Sequence, residues 1–128
     1  MAGNPEFGRR IRELREAKKQ NDPRYSLRRF AEMVGISATF LSKVEVGEFA
    51  PPAANNIKRM AELLDADPDE LLALAGKMDP ELSEIIRTKP RMMADLLRTA
   101  HEADVSEKQV ESLLNMMKTM NEGGKKGQ

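Results

Sequence analysis

The stretch SLRRFAEMVGISATFLSKVE, residues 26–45, limits the fold more than any other part of the chain. Leu27, Phe30, Ala31 and Val34 stand at i, i+3, i+4 and i+7, and Leu41 and Val44 form a second stripe after only Gly35 and Ile36. Both stripes have helical spacing, but each helix is too short to be stable alone in water. The two must therefore share a core, and so tight a turn forces them to cross steeply. Ser26 and Ser37 are placed to cap the two helices. Gly35 ends the first of them, because glycine takes the left-handed conformation without strain. The predicted shared core is Phe30, Ala31, Val34, Ile36, Leu41 and Val44, with Ala31 small because the helices approach closely there. With Leu41 and Val44 turned inward, the second helix of the pair turns Ser37, Ala38, Thr39, Ser42, Lys43 and Val46 outward. That face is short, polar and free of acids. It suits insertion beside base edges in a DNA major groove, and its N-terminus offers backbone N–H groups to phosphate.

Almost every other segment also reads as helix, so the predicted class is all-α. A first helix over 5–19 carries Phe7, Ile11 and Leu14 on one face, and QNDPRY then breaks the pattern with Asn21, Asp22 and Pro23. A helix over 53–64 repeats the spacing with Ile57, Met60, Ala61 and Leu64. Asp67, Pro68 and Gly76 supply the cap, first position and stop of the next helix. Beyond it lie three amphipathic segments: Leu82, Ile85 and Ile86; then Met93, Leu96, Leu97 and Ala100; then Val110, Leu113, Leu114 and Met117 behind a Ser106 cap. The expected organisation is a first domain over 1–78, a helical extension over 79–121 and a flexible tail over 122–128, where Gly123 and Gly124 sit among polar residues.

Charge separates the halves. Residues 1–59 carry 12 Lys or Arg against 7 Asp or Glu, while residues 60–128 carry 9 against 14. A basic working half followed by an acidic remainder is the pattern of a nucleic-acid binder. The absence of cysteine excludes disulfides and thiolate metal sites. His101 is the only histidine, so no His pair can bind a metal, and DADPDE lacks the mid-loop glycine and terminal glutamate of an EF-hand calcium loop. An enzyme lacks its parts: there is no phosphate-cradling glycine loop and no nucleophile beside a base. Neither cofactor nor metal is expected. No apolar run reaches membrane-spanning length, and MAGNPEFGRR lacks the apolar core of a signal peptide, so the expected setting is the cytoplasm, on the bacterial nucleoid.

Several spacings coincide over roughly residues 7–75. Ala31 and Gly35 are four apart, Leu41 and Val44 follow, Glu45 and Gly47 form E-x-G, and Pro51 and Pro52 begin a connector before IKRMAELLDADPDELL. Here the chain resembles the lambda-repressor-like (Cro/Xre) helix-turn-helix proteins. The resemblance implies a five-helix domain that binds double-stranded operator DNA as a dimer, with the third helix as reader. The outward face itself makes Ser37, Ala38, Thr39, Ser42 and Lys43 the expected base readers, with Lys43 either a base reader or a phosphate contact. Phosphate binding falls to Arg24, Arg28 and Lys43, with Arg28 best placed at the start of the second helix. The resemblance further implies that Arg15 pairs with Glu45, tying the first helix to the third. An acid at a helix C-terminus opposes the macrodipole and calls for such a partner. The loop QNDPRY is longer than the minimal pattern of the family.

The extension lies outside that resemblance. About forty residues in three short helices are too few to bury a sound core unaided, so they must pack on the first domain, on a second copy, or on both. Met93, Leu96, Leu97, Val110, Leu113, Leu114 and Met117 are the expected dimerisation surface. The expected function is a transcriptional regulator, a repressor bound to a two-half-site operator as a homodimer. Two alternatives stay open. One is a DNA-binding antitoxin or restriction-system controller whose C-terminal half binds a partner protein. The other is an interaction adaptor that keeps the fold without binding DNA.

Overall fold

The computed structural model describes residues 3–126, and every regular element among them is helical. Helix α1 (Pro5–Lys19) begins with Pro5 at its first position, and the Asn4 side chain accepts from the Phe7 N–H at 2.9 Å. The loop that follows is not irregular throughout. Pro23–Tyr25 form one turn of 3₁₀ helix, started by the Asp22 carboxylate accepting from the Arg24 N–H at 2.9 Å. Helices α2 (Leu27–Val34) and α3 (Ala38–Glu45) are capped by Ser26 and Ser37 respectively. Gly35 stands between them at φ 92°, and the N–H groups of Gly35 and Ile36 both close on the Ala31 carbonyl, at 2.9 and 3.0 Å.

Helix α4 (Ala54–Leu64) ends on Asp65, which takes the left-handed conformation at φ 54° although it carries a Cβ. Its carboxylate meets the Lys18 ammonium at 2.6 Å, so the end of α4 is tied to α1. Helix α5 (Pro68–Leu74) starts from Asp67, whose side chain accepts from the N–H groups of Asp69 and Glu70.

One core joins these five helices. Phe7, Ile11, Phe30, Leu41, Val44, Ile57, Met60 and Leu72 are fully buried, with Ala31 sealed between α2 and α3 and Ile36 partly buried at its edge. Tyr25, from the 3₁₀ turn, packs its ring on Phe30 and donates its hydroxyl to the Leu63 carbonyl at 2.6 Å. That bond satisfies the polar end of an otherwise apolar residue. Gly8 marks the closest helix approach. A Cβ there would lie 2.2 Å from the Val44 carbonyl oxygen, so α1 and α3 touch backbone to backbone.

The chain divides into two compact units, Met1–Glu84 and Ile85–Gln128. The boundary between these two units falls inside α6 (Pro80–Thr88). The reason is Asp79. Its carboxylate accepts from the Glu81 N–H at 3.0 Å and pairs with Lys58 of α4 at 3.1 Å, which keeps the start of α6 with the first unit. The Glu81 N–H first, and then Lys58, hold this carboxyl below its ordinary pKa.

The second unit contains the rest of α6, then α7 (Pro90–Glu102) and α8 (Glu107–Lys126). Ser106 and Gln109 cap α8 reciprocally: the Ser106 hydroxyl accepts from the Gln109 N–H, and the Gln109 side chain accepts from the Ser106 N–H. Helix α8 runs on to Lys126, where the sequence predicts a flexible tail; residues 127 and 128 of that tail lie outside the described residues. Gly123 and Gly124 lower helix propensity without forbidding helix. No residue of α6 or α7 is buried, nor any of residues 107–123 of α8. No helix among the described residues is long and apolar enough to cross a membrane.

Candidate nucleic-acid interface

Helix α3 presents the predicted reading face. Leu41 and Val44 point into the core, and on the opposite side Ser37 and Thr39 are exposed while Ala38, Ser42 and Lys43 are half-buried. All five come from one capped helix whose orientation is set by the Gly35 turn and the α1 contact at Gly8.

The cations around α3 differ in how free they are. Arg28, at the start of α2, is 86% exposed, with Glu32 4.0 Å away on the same helix. Arg24 is engaged within its own turn: its Nε lies 3.1 Å from both Asp22 carboxylate oxygens, and one of its terminal nitrogens lies 2.7 Å from Oδ2. The pair shifts both groups in the expected directions. Arg24 pulls the Asp22 carboxyl below its ordinary pKa, and Asp22 raises that of the guanidinium. Lys43 is also engaged, with its ammonium 2.9 Å from the Glu48 carboxylate. Of the three residues assigned to phosphate, Arg28 alone reaches solvent without a close carboxylate.

Arg15 and Glu45 meet beneath the interface. Arg15 Nε donates to Glu45 Oε2 at 2.7 Å and a terminal nitrogen donates to Oε1 at 2.9 Å. The two side chains are each 4% exposed. The other terminal nitrogen of Arg15 donates to the Tyr25 carbonyl at 3.1 Å, so one guanidinium ties together α1, the 3₁₀ turn and the end of α3. The hydrogen bonds that Arg15 donates to Glu45 raise its pKa against the opposing effect of burial. No buried side-chain polar atom among the described residues lacks a partner.

Three contributors are absent from the sequence-based list. Tyr25 organises the long loop and takes a bond from Arg15. Glu48 holds Lys43. Phe49 packs its ring at a tilt against Phe40, with centroids 6.1 Å apart, and Val46 nearby in the chain is exposed. None of the three sits in a periodic stripe. The nearest signal for Tyr25 was the unusual length of QNDPRY, since a long loop in a compact domain needs an anchor.

The seven residues assigned to dimerisation lie on α7 and α8 in the second unit. Met93 is half-buried there, while Leu96, Leu97, Val110, Leu113, Leu114 and Met117 are 39–56% exposed. Met92, Met116 and Met120 widen the same apolar surface.

The family model for the helix-turn-helix domain matches residues 6–74. The uncharacterised HTH-type transcriptional regulator RghRB of Bacillus subtilis (strain 168) is 34% identical over 79 residues, which are 62% of this chain and 53% of that protein. The chain thus spans about half the length of the curated relative it matches. Among solved structures, the restriction-modification controller protein C.AhdI from Aeromonas hydrophila is 34% identical, covering 52% of this chain and 88% of that one at a TM-score of 0.43. A SinR protein/SinI protein complex contains a chain 26% identical, covering 91% of this chain and 98% of that one at a TM-score of 0.45.

Proposed function

The chain belongs to the helix-turn-helix domain family, and from that premise we propose that it is a sequence-specific DNA-binding transcriptional regulator, a repressor that grips a two-half-site operator as a homodimer. The observation that carries this reading is the outward face of α3. It is polar and acid-free along the helix, lies over a buried core, and is flanked by the exposed guanidinium of Arg28, whose nearest carboxylate is Glu32 at 4.0 Å. Ser37, Ala38, Thr39, Ser42 and Lys43 read base edges in the major groove. Arg28 anchors the domain on a phosphate, and Arg24 joins it when it leaves Asp22. The apolar faces of α7 and α8 hold the second copy. On this reading the protein acts on chromosomal DNA in the cytoplasm.

Two expected results separate positioning from reading. Arg28→Ala weakens binding to every sequence alike, and the slope of log affinity against log salt becomes shallower by about 0.9, the loss of one phosphate contact. Changing Thr39 or Ser42 to Ala instead relaxes preference at one or two base pairs, by about 1 kcal/mol or less for a single hydroxyl contact. Both are measured by gel shift across a salt series, after selection of bound genomic fragments. If Thr39, Ser42 and Lys43 are all changed to Ala and the selected operator is unchanged, α3 is not the reader. A chain that selects no DNA at all is the interaction adaptor.

A further inference from the structure

The loop after α3 contains an acid where a DNA-facing surface should repel one. Glu48 follows Gly47, which turns the chain at φ 84°. The N–H groups of Glu48 and Phe49 then both donate to the Lys43 carbonyl, at 2.9 and 3.2 Å, so the loop folds back over the last turn of the reader helix. Phe49 anchors it there against Phe40. The Glu48 carboxylate is thereby held 2.9 Å from the Lys43 ammonium, at the end of the proposed reading face.

Beside DNA, a lone carboxylate is repelled by phosphate. It is tolerated only where it meets a hydrogen-bond donor, and in the major groove the donors are the amino groups of cytosine and adenine. A G·C pair presents guanine N7 and O6 as acceptors, then cytosine N4 as donor. O6 and N4 are bonded to each other within the base pair, so they lie about 2.9 Å apart. Lys43 and Glu48 offer a donor and an acceptor at that same spacing. The ammonium has three N–H donors and spends one on Glu48, leaving two for N7 and O6. An A·T pair would set the adenine amino group against the ammonium, and a T·A pair would set the thymine methyl where N7 is needed.

We infer that Lys43 and Glu48 act as one composite reader of a single G·C pair in each half-site, with Glu48 the specificity-determining partner that keeps Lys43 off the phosphates. This rests on the DNA-binding reading proposed above. Of the two roles open to Lys43 it assigns base reading, because Glu48 lies beside the ammonium and supplies the acceptor that cytosine N4 needs.

The test is Glu48→Ala in the full-length chain, with folding checked by circular dichroism. Binding is measured to the selected operator, to every single-base variant of it, and to random-sequence DNA. At one position per half-site, a wild-type preference for G·C of about ten-fold or more should fall to about two-fold. Affinity for random-sequence DNA should rise, and the salt slope should steepen, as Lys43 becomes free for phosphate. Specificity and affinity thus move in opposite directions, which loss of a merely structural contact would not produce. Lys43→Ala should lose preference at the same position, and the double variant should lose no more than either single one. If Glu48→Ala keeps every base preference, or weakens binding uniformly, the inference is overturned while the DNA-binding reading stands. If the wild-type chain selects no DNA, both fall together.

Discussion

Glu45→Ala is expected to destabilise the first unit by about 3–5 kcal/mol, the usual cost of removing one partner from a buried ion pair. Arg15 would remain beneath α3, only 4% exposed, with the Tyr25 carbonyl and the half-exposed Glu16 as its remaining partners. A charge so placed cannot recover its hydration without opening the contact between α1 and α3. Because a small domain is stable by only about 5–15 kcal/mol, the loss is a large share of the total. DNA affinity should fall with it, since the pair holds the C-terminal end of α3, the proposed reader. Replacing Arg15 and Glu45 together by Met and Leu should cost far less than Glu45→Ala alone, because no charge is then stranded. Glu45 raises the Arg15 pKa above an already alkaline value, so the guanidinium's share is present at every pH below that range and is lost only as pH rises through it. Urea unfolding of the three proteins near neutral pH measures the effect. A Glu45→Ala change within about 0.5 kcal/mol of wild type, the range of ordinary surface substitutions, would show that the pair contributes little.

The same pair shows where sequence reasoning reaches and where it stops. The caps at Ser26, Ser37, Asp67 and Ser106, and the stripes they precede, are local features, and each stands in the structure where its spacing puts it. The inward turn of Leu41 and Val44 follows from period alone. The partner of Glu45 does not. Thirty positions separate it from Arg15, and only the macrodipole argument and the family resemblance connect them. Tyr25, Gly8 and Glu48 are harder still. Each works through one contact with a distant or looped-back backbone, and nothing periodic marks such a contact. Asp65 ends α4 in a conformation for which glycine would be the usual signal, and it does so while tied to Lys18. The tie from Asp79 to Lys58 is equally hidden, since it is tertiary. In α7 and α8 the stripe is legible but its occupant is not, because periodicity says that a face is covered and is silent about what covers it.

Leu114→Asp should split the proposed homodimer and leave the first unit folded. Helix α8 carries Val110, Leu113, Leu114 and Met117 along one side, and Leu114 itself is 48% exposed. A helix pair with its apolar faces in water is marginal, and burying a leucine contributes about 1.5–3 kcal/mol. A two-fold interface uses the same patch on both copies, so one substitution places two carboxylates in it. Each must be desolvated without a partner. The consequence reaches the DNA through geometry. Half-sites on one face of the duplex lie about 34 Å apart, and both reader helices engage only if something holds them at that separation. Once the copies part, the second half-site no longer binds as an intramolecular event, and operator affinity should fall by about 100-fold or more. Sedimentation of the full-length chain should give a dimer at micromolar concentration and a monomer for Leu114→Asp, while the unfolding transition of the first unit stays unchanged. A chain ending at Glu84 should behave like the variant. A full-length chain that stays monomeric at high micromolar concentration, or a variant that dimerises as tightly as wild type, would assign the α7 and α8 surface to a different partner protein, and the operator would then be read one half-site at a time.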